Sequence, residues 1–580
     1  MYQKYNNYDL NPKKKILGYD SFAFSRYDNI RKEINSRIEG EESKKQVIVC
    51  DLYPGADKEE ILAEIKKCGI VKVIDTETCM WERDKILNIF RDSITEDRVF
   101  GIMTHKSLTD CFNPERLEKA KEEVVSHQEG MLLVIGVGAS LITKGDLLLY
   151  FDMTRWEIQL RYRKGMSNWL IANEKDAVLT KYKMGFFIEW RLADKHKRQL
   201  FETFDYVVDT TIKNHPVMIT GKAFCEGLKQ LSKQPFRMQP YFDPGVWGGQ
   251  WMKDVFGLDP AMGNYAWSFD GVPEENSINL QYGSVVIQLP CMDLTLYQPR
   301  EVLGDRVHGR FGAEFPIRFD LLDTMGGGNL SLQVHPLTDY IQENFGMHYT
   351  QDESYYILDA KAGAHAYLGI KDNVDTEEMK KDLERAQAGE IVFDADKYAN
   401  KIPVGKHDHL LIPAGTVHCS CADTMVLEIS ATPYIFTFKL WDWGRVGLDG
   451  LPRPIHIEHG MKNIQWDRNL KWVEENLVNQ EEVCMQREGF LDEKTGLHRR
   501  QSIETHRYTV TGEVSLEMND SVQVLNLVEG SFAVIESMKE EFEPFTVHYA
   551  ETFIIPAAVG SYKIKSAPNE TISVICAWIR

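Results

Sequence analysis

Several common signatures are missing from this chain of 580 residues, and each absence removes a class of protein. The ten cysteines include no C-x-x-C pair, so the sequence contains neither a zinc ribbon nor a thioredoxin-type motif. No apolar run approaches the roughly 20 residues that cross a bilayer. The N-terminal stretch MYQKYNNYDLNPKKK lacks the apolar core of a signal peptide. We therefore expect a protein of the reducing cytoplasm with no membrane partner.

The chain also lacks an excess of positive charge. It has 67 basic and 87 acidic residues, which give a formal net charge of −20. Nucleic acids are held mainly by clustered Lys and Arg, so this balance predicts no nucleic-acid partner. A small phosphorylated compound needs only two or three local cations and is not excluded.

A phosphate-binding G-x-x-x-x-G-K-[ST] motif is also missing from residues 1–235, where short β-branched runs alternate with helix-period stretches. Segments such as QVIVCDLY (46–53) and MLLVIGVGA (131–139) predict an α/β domain with a largely parallel sheet. The nearest glycine-rich stretch, GVGASLITKG (136–145), has no Lys-Ser/Thr pair.

One charged stretch of this first region, DMTRWEIQLRYR (152–163), has two interpretations. Its side chains Arg155, Glu157, Arg161 and Arg163 form either a ligand site around Trp156 or an ion-pair network. The ion-pair network is the favoured interpretation.

From about residue 236 the sequence becomes rich in short strands punctuated by Gly and Pro. Two-residue alternation is clear in LSLQVH (330–335), ESYYILDA (353–360) and MVLEIS (425–430). This pattern predicts two all-β barrels or sandwiches, over residues 236–465 and 466–580. A helix inserted into the first is predicted from TEEMKKDLERAQAG (376–389). The second is expected to be a barrel without metal ligands.

Four candidate metal ligands lie on these predicted strands. Gln333 and His335 share one strand face, Glu353 begins the next strand, and His418 follows the Pro/Gly turn of IPAGTVH (412–418). Such nitrogen and oxygen ligands suit zinc, although Mn²⁺ or Fe²⁺ would also fit. The alternative is that each His is an ordinary polar residue at a strand end. His407 and His409 are expected on a loop and not among the ligands.

The motifs around these residues resemble those of type I mannose-6-phosphate isomerases, which are zinc enzymes of the cupin fold. The resemblance is carried by FPIRFDLLDTMGGGNLSLQVHP (315–336), VWGGQWMKDVFGL (246–258), IPAGTVH (412–418) and KLWDWGR (439–445). It covers residues 240–465, with a weaker cupin-like match to the end. It implies that Gln333, His335, Glu353 and His418 bind zinc, and that Ser331 lies near the substrate phosphate.

Three positions depart from the family pattern. Gln351 occupies the place of a family Lys, Lys439 that of the catalytic Arg, and a further Lys is replaced within GGGN (326–329). A lysine keeps the charge of an arginine but not its planar pair of donors.

The resemblance also implies catalytic roles. Glu428 matches a family Glu facing the site and is expected to move the proton, with an outward-facing strand residue as the alternative. Lys439 is expected to stabilise developing charge. Arg445 is the second candidate cation, or else a structural partner of Asp442.

The N-terminal region resembles the nucleoside-kinase-like extension of some long bacterial members of that family. We expect it to be a degenerate kinase-like domain that scaffolds or regulates. For the whole chain we expect a zinc-dependent aldose–ketose isomerase of a sugar phosphate, converting mannose 6-phosphate to fructose 6-phosphate through an enediol. The alternative is a non-catalytic, metal-holding cupin that binds a sugar or sugar phosphate and regulates the attached domain. Isomerisation of another sugar is a third hypothesis.

Overall fold

A computed structural model describes residue 5 and residues 7–39, 45–431, 434–447, 450 and 453–580. The chain divides into two compact units. The N-terminal unit contains residues 13–231 and 277–298, and the β-rich unit contains residues 1–12, 232–276 and 299–580.

A seven-stranded sheet forms the centre of the N-terminal unit. In spatial order its strands are Ala23–Ser25, Val217–Thr220, Tyr206–Asp209, Leu147–Asp152, Lys45–Leu52, Gly130–Gly136 and Ile70–Asp75. The last five are parallel to one another, as predicted, and the first two pair antiparallel. The near-continuous burial of Lys45–Leu52 and Leu147–Asp152 is typical of parallel strands covered on both faces.

Helices connect these strands, and a small second sheet completes the unit. The helices are Tyr27–Glu39, Lys58–Ile65, Arg83–Ile89, Arg91–Ile94, Pro114–Ser126, Arg155–Arg163, Val178–Met184, Trp190–Arg198, Gly221–Leu231 and Met292–Tyr297. The small sheet orders Lys14–Lys15, Ser277–Tyr282 and Val285–Pro290.

Two antiparallel sheets of the β-rich unit carry the candidate metal ligands. The six-stranded sheet orders His409–Ile412, Asp352–Ala360, Thr424–Ala431, Arg318–Asp323, Trp267–Gly271 and Tyr241–Asp243. The five-stranded sheet orders Ala399–Pro403, His365–Ile370, His418–Ser420, Leu332–Val334 and Phe438–Trp441. The alternating segments of the sequence therefore become strands, as predicted.

A second pair of sheets follows near the C-terminus. Its six-stranded sheet orders Glu482–Arg487, Phe490–Lys494, Ile503–Thr511, Thr571–Ile579, Gln523–Glu529 and Thr552–Ile555. Its four-stranded sheet orders Glu513–Glu517, Ser561–Ser566, Phe532–Ser537 and Phe545–His548. Side chains from both sheets, such as Leu525 and Ile564, form one buried core, so the two sheets pack face to face.

Short helices border the sheets of the β-rich unit. They are Trp251–Phe256, Pro299–Leu303, Asp305–Phe311, Thr338–Phe345, Thr376–Gln387, Ala395–Tyr398, Ile457–Asn463 and Leu470–Asn476. Thr376–Gln387 is the helix predicted from the sequence; the Asp375 carboxylate caps it by accepting from the amides of Glu377 and Glu378.

The observed grouping differs from a simple serial division. Residues 277–298 belong to the N-terminal unit, and residues 1–12 belong to the β-rich unit. The division at 1–235, 236–465 and 466–580, and the kinase-like character of the first part, stay predictions. Within the described residues, no helix has the length and apolarity that a membrane crossing requires.

Candidate metal centre

The strand register brings the predicted ligands to facing surfaces of two sheets. Gln333 pairs with His418 across neighbouring strands of the five-stranded sheet, so their side chains share a face. His335 follows two residues after Gln333 and keeps the same direction. Glu353 comes from the six-stranded sheet. One ligand atom from each of His335, Glu353 and His418 lies within 4.8 Å of the others.

Backbone carbonyls fix the tautomer of both imidazoles. His335 Nδ1 lies 2.8 Å from the Phe436 oxygen, and His418 Nδ1 lies 2.9 Å from the Thr416 oxygen. Because a carbonyl can only accept, each Nδ1 donates its hydrogen. Each Nε2 then has a lone pair directed into the centre, which is how metal-binding histidines are oriented.

The centre contains more acceptors than donors. His335 Nε2 lies 2.7 Å from Glu353 Oε2, and His418 Nε2 lies 3.6 Å from Oε1 of the same carboxylate. Glu353 is fully buried, and its Oε1 has no hydrogen-bond partner among the described residues. A buried carboxylate oxygen beside two imidazole lone pairs fits a bound cation.

Gln333 completes the set with an amide. Its Oε1 accepts from the Ser331 hydroxyl at 2.8 Å, and its Nε2 lies 3.1 Å from His418 Nε2. Reversal of the amide, whose two ends are assigned from their contacts, would direct its oxygen towards the centre. Two imidazole nitrogens, a carboxylate and an amide oxygen suit zinc, manganese or ferrous iron.

Burial sets the charge of the candidate ligands. It lowers the pKa of His418 to about 4, so this ring is neutral and its lone pair is free to bind a cation. Burial alone would raise the pKa of Glu353, but in the metal-free site the positive charge that its ring partners carry when protonated, chiefly that of His335, outweighs burial and lowers that pKa. A bound cation would take the place of that proton.

Glu428 lies on the same face of its sheet as Glu353. It pairs with Asp320 on one side and with Tyr355 on the other, and Tyr355 is two residues from Glu353. Burial and the charges of Glu353 and Asp320 raise the pKa of Glu428 well above its usual value. The sequence analysis did not select Asp320 or its buried partner Arg318, whose Nε donates to Asp320 at 2.9 Å. Arg318 and Asp320 are two residues apart on the strand Arg318–Asp323, and this i, i+2 spacing was the available signal.

A second charged group surrounds Asp442, immediately after the strand Phe438–Trp441. Its carboxylate contacts Lys439 at 3.8 Å, Arg445 at 2.5 Å and also Arg453. Burial, reinforced by the Arg453 cation, lowers the pKa of Lys439 to about 7. Lys439 pairs with Gln333 across strands, so it faces the metal centre. Arg445 pairs with Asp442, as the structural alternative expected, and Arg453 was not predicted.

The other singled-out histidines have different neighbours. His409 Nε2 lies 2.9 Å from the Ser354 hydroxyl, and His407 Nδ1 lies 2.8 Å from the Tyr356 hydroxyl. Ser354 and Tyr356 alternate with Glu353 and Tyr355 and point to the opposite face of the sheet.

Curated proteins of related sequence cover the larger part of the chain. YvyI of Bacillus subtilis, provisionally named a mannose-6-phosphate isomerase, is 24% identical over 359 residues, which are 60% of this chain and all of YvyI. The mannose-6-phosphate isomerase of Streptococcus mutans is 27% identical over 231 residues, which are 39% of this chain and 67% of that protein. Sequence similarity to a protein provisionally named a mannose-6-phosphate isomerase thus extends over about 60% of the chain.

Two further comparisons cover the fold and the N-terminal region. The crystal structure of the mannose 6-phosphate isomerase from Bacillus subtilis has 20% sequence identity and a TM-score of 0.48, over 59% of this chain and 99% of that one. Residues 26–233 match a family described as "Domain of unknown function (DUF8485)".

Gln351, which departs from the isomerase pattern, contacts a residue of the candidate metal centre directly. Its Nε2 donates to Glu353 Oε2 at 3.1 Å, and its Oε1 accepts from the Phe436 amide at 2.8 Å. Phe436 is also the residue whose carbonyl holds His335. A neutral amide therefore orients two candidate ligands at the position where the family resemblance implies a lysine.

In the N-terminal unit, the glycine-rich stretch after strand Gly130–Gly136 surrounds a carboxylate of the protein itself. The amides of Gly138 and Ser140 donate to Asp51 at 2.9 and 3.0 Å. Arg161 pairs with Glu157 at 2.9 Å, and buried Arg155 pairs with Asp194. The charged segment 152–163 thus contains ion pairs, as the favoured interpretation expected.

Proposed function

We propose that the β-rich unit is a metal-dependent aldose–ketose isomerase of a sugar phosphate, with mannose 6-phosphate and fructose 6-phosphate as the leading pair. The observation that carries the proposal is the convergence of two imidazole lone pairs on a buried carboxylate with an unpartnered oxygen. The names of the homologues support the reaction class.

The proposed ligands are Gln333, His335, Glu353 and His418, and the proposed metal is zinc. When bound, a divalent cation would polarise the substrate oxygens and stabilise the negative charge that develops during enolisation. The protein contributes the orientation, because two backbone carbonyls and the Gln351 amide restrict the rotation of three of these side chains.

Proton transfer is assigned to Glu428. Isomerisation moves a proton between C1 and C2, so the base must take it up and return it. A carboxyl group with a raised pKa does both more readily near neutral pH than an ordinary one. Its neighbours Tyr355 and Asp320 are buried and limit the positions that the Glu428 side chain can adopt.

The cations around Asp442 are proposed to bind the anionic part of the substrate. Three basic side chains surround the single carboxylate of Asp442: Lys439, Arg445 and Arg453. The group therefore keeps an excess of positive charge that can bind a phosphate or an enediolate oxygen. Ser331 is proposed as a hydroxyl donor to the phosphate, and its present contact is Gln333.

One observation favours the alternative of a metal-holding binding protein without turnover. With a pKa of about 7, Lys439 is charged in only part of the molecules at neutral pH. A partly neutral amine stabilises developing negative charge less well than the arginine that the family resemblance implies.

An assay of the full chain distinguishes the two functions. Metal-free protein is loaded with zinc, manganese or ferrous iron and incubated with mannose 6-phosphate, other hexose and pentose phosphates and unphosphorylated mannose. The isomerase proposal expects metal-dependent turnover that His335→Ala abolishes and that His348→Ala, at an exposed histidine, retains. Metal retention with no turnover of any sugar would favour the binding protein.

A further inference from the structure

We propose a second metal site in the β-rich unit, formed by Cys484, Asp492 and His506 and suited to zinc. One ligand atom from each lies within 4.8 Å of the others. The site is on the outer part of the second six-stranded sheet, which the sequence analysis expected to be free of metal ligands. It is separate from the proposed isomerase centre, because the two share no residue or strand.

Three adjacent strands supply the three side chains. Cys484 lies at an irregularity of the edge strand Glu482–Arg487, where the pairing shifts between Val483 and Met485. Asp492 is paired with Met485, next to this bulge. A β-bulge redirects side chains, and here it allows Cys484 to reach the face occupied by Asp492. His506 comes from the third strand, Ile503–Thr511.

His506 has the environment of a metal-binding histidine. Its Nε2 lies 3.1 Å from Glu504 Oε1 and its Nδ1 lies 2.6 Å from Asp492 Oδ1. A proton on Nε2 is held by Glu504, so Nδ1 is the nitrogen that can exchange its proton for a metal. Metal sites commonly place a carboxylate behind a histidine ligand in this way.

Cys484 is exceptional among the cysteines of the chain. Nine of the ten are buried, and Cys484 is exposed. Cysteine is usually buried in proteins, so packing does not explain an exposed thiol beside a His and an Asp, and we infer a role in metal binding. Zinc accepts Cys, His and carboxylate ligands, and a tetrahedral site with three protein ligands keeps a fourth position open.

The charges near the cluster favour a cation but make binding depend on pH. Asp492, Glu504 and Glu482 surround it, while Lys494 lies 3.4 Å and Arg580 3.8 Å from Glu504 Oε2. A thiol and a protonated imidazole nitrogen must each lose a proton to bind metal, so affinity should increase with pH.

Cobalt is the probe that separates this site from the isomerase centre. Only a site with a thiolate ligand gives a sulfur-to-cobalt charge-transfer absorption, and the proposed centre at His335 has only nitrogen and oxygen ligands. Metal-free full chain is titrated with Co²⁺ under a reducing agent. We expect the charge-transfer band in the wild type and in His335→Ala.

Substitutions at the cluster should remove or weaken the band. Cys484→Ser should abolish it, whereas Val483→Ser, at the neighbouring exposed residue, should retain it. Glu504→Gln should weaken Co²⁺ affinity about 10–100-fold, as expected for the loss of a carboxylate behind a ligand. The absence of a band in cobalt-saturated wild type, or its survival in Cys484→Ser, would overturn the proposal.

Protection of the thiol gives a second readout that needs no spectroscopic band. Saturating zinc should slow alkylation of Cys484 at least about tenfold, since the bound thiolate is no longer free to react. The protection should be lost in His506→Gln. Equal alkylation rates with and without zinc in the wild type would contradict the site.

Discussion

His335 and His418 are each held by the backbone in an orientation that suits metal binding. Each ring donates from Nδ1 to a backbone carbonyl, so neither can turn its Nε2 away from Glu353 without breaking a hydrogen bond. This arrangement costs free energy, because it buries a carboxylate oxygen of Glu353 without a hydrogen-bond donor among the described residues. A bound cation removes that cost, which is why we assign metal binding to these residues before any catalytic role.

Replacement of Glu428 should separate catalysis from metal binding. Glu428→Gln keeps the shape and burial of the side chain but removes the base. We expect kcat for sugar-phosphate isomerisation to fall about 10²–10⁴-fold. The metal content, measured by elemental analysis, should be unchanged. If the variant retains near-normal kcat, another group moves the proton, and Asp320→Asn becomes the next variant to test.

Gln351 should act through metal affinity. Gln351→Ala removes the donor to Glu353 and leaves the Phe436 amide without its acceptor. We expect a metal affinity about 10–100-fold weaker, with activity restored at high metal concentration. Competition with a chelator measures the affinity, and Gln342→Ala, at an exposed glutamine, is the control. Unchanged affinity in Gln351→Ala would show that Gln351 does not position Glu353.

At the scale of elements, the turn before His418 depends on a glycine. Gly415 has φ +85°, and a Cβ there would lie 2.7 Å from Gln465 Cγ and 2.8 Å from the Asn463 oxygen. The Gly415 amide donates to the His335 carbonyl at 2.9 Å, so the turn connects the strands of two candidate ligands. Displacement of this turn would move His418 relative to His335.

We expect Gly415→Ala to lower both stability and metal affinity. The strain should cost about 1–3 kcal/mol of unfolding free energy, measured by urea denaturation of the metal-free protein. Gly405→Ala is the matched control, because the nearest atom to its Cβ would be Asp408 Oδ2 at 3.8 Å. Equal stability of the two variants would indicate that the turn adapts without strain.

Much of this level of structure was predictable from the sequence. The alternation of LSLQVH and ESYYILDA predicted strands that carry Gln333, His335 and Glu353, and the Pro/Gly turn of IPAGTVH indicated His418 as the fourth candidate ligand. The partners of those residues were not predictable. Phe436 and Thr416 hold the histidines through backbone oxygens, which carry no residue-type signal. Arg453 contacts Asp442 from a segment outside any strand. Its position in the sequence therefore did not indicate that it would lie near the candidate site.

At the scale of the whole molecule, the path of the chain was the least predictable feature. The strands Ser277–Tyr282 and Val285–Pro290 lie in the middle of the β-rich sequence, but they pair with each other and with Lys14–Lys15 in the N-terminal unit. The Tyr8 hydroxyl donates to Asp270 at 2.9 Å within the β-rich unit. Composition and periodicity describe each stretch of the chain separately, so they contain no signal for such returns.

An ion pair between the two sheet pairs of the β-rich unit should make its stability sensitive to acid. Glu529 contacts Lys406 and lies 3.3 Å from His407 Nε2, and these partners lower its pKa from 4.5 to about 2. A carboxylate with a lowered folded-state pKa stabilises the protein above its unfolded value, and the contribution is lost as pH falls.

Comparison with Glu529→Gln tests this dependence. The difference in unfolding free energy between wild type and variant should be constant above pH 4.5 and should shrink as the pH falls towards 2. Urea denaturation at a series of pH values measures it, with Glu541→Gln at an exposed position as control. A difference that does not change over this range would contradict the ion pair.

The central claim is that metal bound at His335, Glu353 and His418 supports isomerisation. The most direct test follows mannose 6-phosphate by NMR in deuterated water with zinc-loaded protein, metal-free protein and zinc-treated His335→Ala. We predict fructose 6-phosphate with the zinc-loaded protein alone. No conversion by the zinc-loaded protein, or equal conversion by His335→Ala, would contradict the account.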